Sequence, residues 1–151
     1  MGMNLSHAAL RLSTGAFILN TGIGKLTLDK EHAAGLQATA AHAFPQVADI
    51  ETERFGKLLS ISEIAVGAVL LAPFIPSRIA GLALAAFSGG LLRTYLKTPG
   101  TTMADGIRPT AAGTPMAKDV WMFGIAVALI VDRKHKTVKA AAVYPAGRPR
   151  T

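Results

Sequence analysis

Apolar residues along this chain gather into four segments, from about Ser6 to Leu26, Lys57 to Ile75, Ser77 to Leu96 and Ala117 to Val131. Each falls short of the roughly 20 residues needed to cross a hydrocarbon core unless its charged ends are counted. The middle pair is the most continuous. Between Leu58 and Leu96 the charges are Glu63, Arg78 and Arg93, and "APFIPSR" puts two prolines where one helix must stop and the next begin. That pattern predicts a helical hairpin with a tight turn. Between the first two segments, Lys30 to Ala43 predicts an amphipathic surface helix that Phe44-Pro45 ends. The stretch from Thr98 to Met116 is rich in Pro, Gly and Thr and predicts a loop. Neither an internal repeat nor a strand pair stands out.

Composition moves this pattern toward the bilayer. Half of the 151 residues are hydrophobic, 17% are charged and the mean hydropathy is +0.37, against roughly 25% charged in an ordinary soluble domain. Plentiful glycine suits helices whose backbones approach closely. The expected fold is all-α, a four-transmembrane-helix bundle occupying residues 1–134, followed by a basic, flexible tail over 135–151. A soluble helical bundle with one sticky face is the competing reading. Arg11 followed by the apolar stretch Leu12 to Gly24 has the outline of a signal peptide, but the small-x-small triplet Ala38-Thr39-Ala40 lies too far beyond it. The first segment is therefore read as a retained helix.

The net charge of +7 is concentrated rather than spread, with six of the sixteen basic residues between Arg133 and Arg150. A basic tail beside apolar helices reads as a cytoplasmic flank facing anionic lipid, not as a nucleic-acid surface. With four spans both termini share a side. The cluster Arg133, Lys134, Lys136 and Lys139 then places them in the cytoplasm of a bacterial cell, with Arg78 in the hairpin turn, and leaves the long first loop outside. The chain is read as a multi-pass protein of the inner membrane.

This topology assigns a depth to every polar residue. Lys25 and, five residues below it, Asn20 lie near the outer end of the first segment; Glu63 lies on the second, Arg93 and Tyr95 on the third, and Lys118, Asp119 and Trp121 open the fourth. A charge at such depth is costly unless paired or hydrated, so these side chains should face the bundle interior. Helical spacing defines three small or polar stripes: Gly56, Ser60, Glu63 and Gly67; Ser13, Phe17, Asn20 and Gly24; and Ala86, Gly89 and Arg93. Two readings stay open. In one, Glu63–Arg93 and Asp119–Lys25 are ion pairs that fix helix register. In the other, the layer is a pocket holding the headgroup of a quinone or lipid. Transmembrane proton transport is not expected, because the inner halves carry no second carboxylate.

Other chemistry has less to rest on. The chain has no cysteine, which removes disulfides, thiolate nucleophiles and iron–sulfur ligation. His7, His32, His42 and His135 fall in flanks and loops rather than on facing helices, so neither a haem nor a metal site is expected. "TGIGK" lacks the full phosphate-loop pattern and a preceding strand. No catalytic residue is assigned.

The segments "RLSTGAFILNTGIGKL", "SEIAVGAVLLAPFIPSRIAGLAL" and "AKDVWMFGIAVALIVD", in that order and around a long first loop, resemble the DoxX-like family of small four-helix bacterial membrane proteins. The resemblance covers roughly Arg11 to Asp132. It rests on the Arg-then-Gly start, Gly22 to Lys25 at the exit of the first helix, Glu63, and the Lys118-Asp119 pair; the long insertion before Lys118 departs from the shortest members. The family takes its name from a subunit of a thiosulfate:quinone oxidoreductase, and relatives are associated with oxidative-stress proteins. The resemblance implies an accessory subunit, not itself catalytic, that binds a quinone, a lipid or a partner protein. The alternative it leaves open is a membrane subunit of a quinone-linked oxidoreductase in which Glu63 or Asp119 exchanges protons with quinone. Without cysteine, this chain cannot itself carry a persulfide. No covalently bound cofactor is expected; the expected partners are membrane lipids, other membrane or redox proteins, or further copies of the chain.

Overall fold

In the computed structural model, residues 5–131 are described, and they are helical throughout apart from connections. Helix α1 spans Leu5–Gly24 and runs into a 3-10 turn, Lys25–Thr27. Helix α2 spans Lys30–Ala41, and a second 3-10 turn, Pro45–Asp49, leads into α3, Thr52–Leu71. Helix α4 is Ser77–Lys97, and a long loop then leads to the short α5, Thr114–Ala117, and to α6, Val120–Val131. Among the described residues the nearest thing to a strand is one isolated antiparallel bridge, Thr102 with Pro109. The basic tail expected over 135–151 lies outside the described residues.

The surface helix expected in the first loop is α2. Its start is set by Asp29, whose carboxylate accepts a hydrogen bond from the backbone N–H of His32 at 2.9 Å, meeting one of the donors a helix start leaves open. Its far end is tied down by Gln37, which is buried and whose amide donates to the carbonyls of Val47 and Ile50. Helix α3 begins five residues earlier than the apolar segment suggests. Its first turn, closed by Phe55 N–H donating to the Glu51 carbonyl, is polar and so does not show in the hydropathy pattern.

Helices α1 and α3 pack antiparallel as one pair, and α4 and α6 as a second; the Pro73–Pro76 turn joins them at one end. In each pair a glycine sets the separation. A methyl group at Gly67 would sit 2.7–2.8 Å from the backbone of Leu19, and one at Gly81 about 3 Å from Leu129 and the Ala126 carbonyl. Backbones that close exclude any larger side chain. Ile18, Leu70, Ala80, Leu84, Ala126 and Leu129 meet in one buried core drawn from α1, α3, α4 and α6.

The stripe Gly56, Ser60, Glu63, Gly67 is buried on α3 as the spacing predicts. The other two stripes require correction. On α1, Ser13, Phe17, Asn20 and Gly24 face outward, and the buried face carries Arg11, Gly15, Ile18 and Gly22. On α4, Ala86 and Arg93 are exposed and Gly89 only half-buried, while Gly81, Leu84, Ser88 and Tyr95 turn inward. Small and polar residues occur on both faces of these helices, so spacing alone does not choose between them.

The outer surface is strongly apolar. Leu12, Phe17 and Ile23 on α1, Leu58 and Ile61 on α3, Ile79 and Leu82 on α4, and Val120, Trp121, Val127 and Val131 on α6 are all exposed. Two stretches, Ser77–Lys97 and Thr114–Val131, are long and apolar enough to cross a membrane.

Candidate functional site

The charges expected in one layer fall into separate groups. Glu63 is buried on α3, and its carboxylate accepts from Lys25 Nζ at 2.9 Å and from the Thr21 hydroxyl at 3.0 Å. Thr21 and Lys25 are four residues apart and share the inward face of α1 and the 3-10 turn that continues it. One turn along α3 from Glu63, the Ser60 hydroxyl donates to the Gly22 carbonyl at 2.7 Å. The pairings expected were Glu63 with Arg93 and Asp119 with Lys25; the observed pair is Lys25 with Glu63. The reason lies in packing: α1 and α3 form the tightest pair in the bundle, and Lys25 emerges directly beside Glu63.

Arg93 is exposed, and its guanidinium lies 5.0 Å from the ring centre of Phe44, a cation–π contact that links α4 to the connection following α2. Tyr95 is buried, and its hydroxyl donates to the Ile107 carbonyl at 2.7 Å, which leaves it holding the α4–α5 loop. The Thr101 hydroxyl strengthens the same loop, its single proton shared between the Tyr95 and Thr98 carbonyls. Lys118 is exposed, Asp119 is half-buried beside it at the opening of α6, and Trp121 is 74% exposed on the outer face. Asn20 is exposed on α1. Of the eight expected site residues, Lys25 and Glu63 are the two joined by a direct ion pair.

The strongest polar anchor lies at the other end of the bundle. Arg11 is 2% exposed, and its guanidinium donates to the carbonyls of Leu70 (2.8 Å), Ala72 (2.6 Å), Ile75 (2.8 Å) and Val69 (3.3 Å) and to the Ser77 hydroxyl (3.3 Å). These groups belong to the last turn of α3 and the turn into α4. A helix end leaves such carbonyls without partners and carries partial negative charge, which a planar five-donor cation answers in full. In the sequence Arg11 stands out only as the basic residue ahead of an apolar stretch and as the start of the family-like segment. Arg11, Gly15, Ile18, Gly22 and Lys25 recur at i, i+4, i+7, i+11 and i+14, but Ser13, Phe17, Asn20 and Gly24 repeat the same spacing on the exposed face, so spacing does not mark Arg11 as buried.

The hydropathy pattern does not mark a cleft that opens beside Lys25. It measures about 170 Å³ and is bounded by Lys25, Leu26 and Leu28 from the 3-10 turn and its exit, Lys30 and Ala33 from α2, and Glu53, Gly56 and Lys57 from α3. Gly56 and Ala33 face each other across the α2–α3 contact and keep its floor low. Neither Lys30 nor Lys57 has an ion pair among the described residues. Beyond its rim, Asp29 is held by His32, whose backbone N–H and then ring keep the carboxyl below its ordinary range. At the tip of the α4–α5 loop, Asp105 pairs with Arg108 and accepts from the backbone of Ile107, which lowers its carboxyl likewise. No group of three or more His, Cys, Asp or Glu placed to hold a metal occurs among the described residues. Comparison with family models, curated proteins and solved structures finds no match to this chain.

Proposed function

We propose that this chain is a small multi-pass protein of the bacterial inner membrane, of DoxX-like type, in which α1, α3, α4 and the stretch formed by α5 and α6 all cross the bilayer. Its role is that of an accessory subunit, not itself catalytic, which holds a lipid, a quinone or a partner protein at the charged outer end of the bundle. The observation that carries this reading is an inverted distribution of polarity. Leucine, isoleucine, phenylalanine and tryptophan side chains stand outward on every long helix, while Arg11, Ser60, Glu63 and Ser88 are buried. In water that arrangement exposes what should be hidden; in lipid, apolar side chains face the solvent and polar groups satisfy one another inside.

The accessory role is favoured over proton exchange with quinone because Glu63 already has two partners, Lys25 and Thr21. A carboxylate held in that way fixes the register of α1 against α3. Binding then falls to the groups at the outer end that remain accessible, Lys30, Lys57, Lys118 and Trp121 among them. The test is fractionation of cells expressing the full chain. Retention in the membrane pellet after an alkaline carbonate wash, with release by detergent, is the expected result. Recovery in the soluble fraction without detergent overturns the reading.

A further inference from the structure

We propose that the cleft between the α1 exit, α2 and α3 is a binding site for a phosphate-bearing anion, and that its ligand in the membrane is the headgroup of an anionic phospholipid. The inference rests on the membrane reading and names the ligand class for it. Three lysines from three different elements, Lys25, Lys30 and Lys57, line one opening of about 170 Å³. Two carboxylates oppose them. Glu63 is buried outside the lining and already bonded to Lys25, and Glu53 stands on the cleft wall. One positive charge is therefore left over for a ligand to neutralise. Lys30 and Lys57 are exposed and have no ion pair among the described residues.

Size and surroundings select among anions. Pockets that enclose drug-sized molecules run from about 300 to 1,000 Å³. The cleft is well below that, too small to enclose a substituted quinone ring and adequate for a phosphate group with its attached glycerol oxygens. Its remaining walls are Leu26 and Leu28, and Leu26 is 54% exposed, so apolar side chains stand beside the lysines in the same opening. A phosphodiester on a lipid needs both kinds of contact, cations for the phosphate and apolar surface beside them for the glycerol and the start of the acyl chains. Lys25 and Lys57 sit near the outer ends of α1 and α3, the depth at which lysine reaches the interface while its stem lies along apolar surface.

The experiment uses the full chain in detergent, with native mass spectrometry of lipid adducts from equimolar phosphatidylglycerol and phosphatidylcholine. The wild type is expected to retain phosphatidylglycerol preferentially. The Lys30→Gln/Lys57→Gln double variant should lose about five-fold in that preference per lysine, the weight of one lysine at an anionic surface. Glu53→Gln should shift it the other way, a gain that damaged folding would not produce. Lys25 is left intact because it holds Glu63. Equal retention of the two lipids by the wild type, or an unchanged preference in the double variant, overturns the inference. Displacement of the lipid by millimolar glycerol 1-phosphate supports the phosphate site and assigns its ligand to a soluble monoester; resistance to it assigns the ligand to lipid. Carbonate-resistant membrane association without lipid preference leaves the membrane reading in place and removes this inference alone. Recovery as a soluble protein removes the membrane reading, and the site then stands or falls on glycerol 1-phosphate binding lost in the double variant.

Discussion

Lys25 and Glu63 illustrate what a buried ion pair costs and gives. Glu63 is 6% exposed, so its charge is tolerated only because Lys25 and Thr21 reach it. Lys25→Met leaves that carboxylate without its cation and should cost about 3–5 kcal/mol, whereas Lys25→Met with Glu63→Met removes both charges and should recover most of the loss. Thermal unfolding in detergent across the four-member cycle reads this directly, and a double variant as unstable as the single one would refute the pairing. Arg11 has no carboxylate and instead serves four carbonyls. Arg11→Met should lose roughly 3 kcal/mol or more as those groups go unpaired. Arg11→Lys should restore only part of it, because an ammonium cannot reach a fan of carbonyls as a planar guanidinium does. The importance of Glu63 was legible from its place in an apolar run. Its partner was not, since depth along an axis says nothing about which helices are neighbours, and Arg93 and Lys25 sit at similar depths.

At the scale of the helix, packing follows from where side chains are missing. Helix existence, the hairpin turn and the surface helix α2 could all be read from hydropathy, proline placement and the Phe44-Pro45 stop. The inward faces of α1 and α4 could not, because glycine, serine and alanine recur on both sides of them. Contact geometry resolves this and can be tested. Gly67→Ala places a methyl group against the Leu19 backbone and should destabilise by about 1–3 kcal/mol through overpacking. Gly90→Ala meets nothing within 4 Å and should be neutral or gain up to about 1 kcal/mol from helix propensity. Equal losses at the two sites would contradict the packing of α1 on α3. Helix α2 depends instead on a charge. The Asp29 carboxyl is held below its ordinary value of 3.8, first by the His32 backbone N–H and then by the His32 ring. Its contribution is therefore fully present above that value and is lost as the pH falls through the lowered one. Protection of the amides at the start of α2, taken relative to the intrinsic exchange rate at each pH, should fall on acidification in the wild type and much less so in Asp29→Asn, which keeps an acceptor without a titrating charge.

Across the whole molecule the two ends are built for different tasks. At the Pro73–Pro76 end, Arg11 closes the turn from within, leaving a compact apex of which Phe74 is 84% exposed. At the other end, α2 and the loop tied down by Tyr95 and Thr101 form a broad polar cap above the apolar belt. On the proposed four-span topology these ends lie on opposite sides of the bilayer, and the orientation expected from the basic residues puts the cap outside. Because the chain has no cysteine, a single introduced one reports its own location. Ala104→Cys, exposed in the cap loop, should react with a membrane-impermeant maleimide in intact spheroplasts; Phe74→Cys, at the apex, should react only after the membrane is opened. The reverse pattern would invert the orientation and place the lysine cleft on the cytoplasmic leaflet. Labelling of both in intact spheroplasts would mean that α3 and α4 do not span, and the apolar exteriors of α1, α3, α4 and α6 would then need a protein rather than a bilayer to cover them.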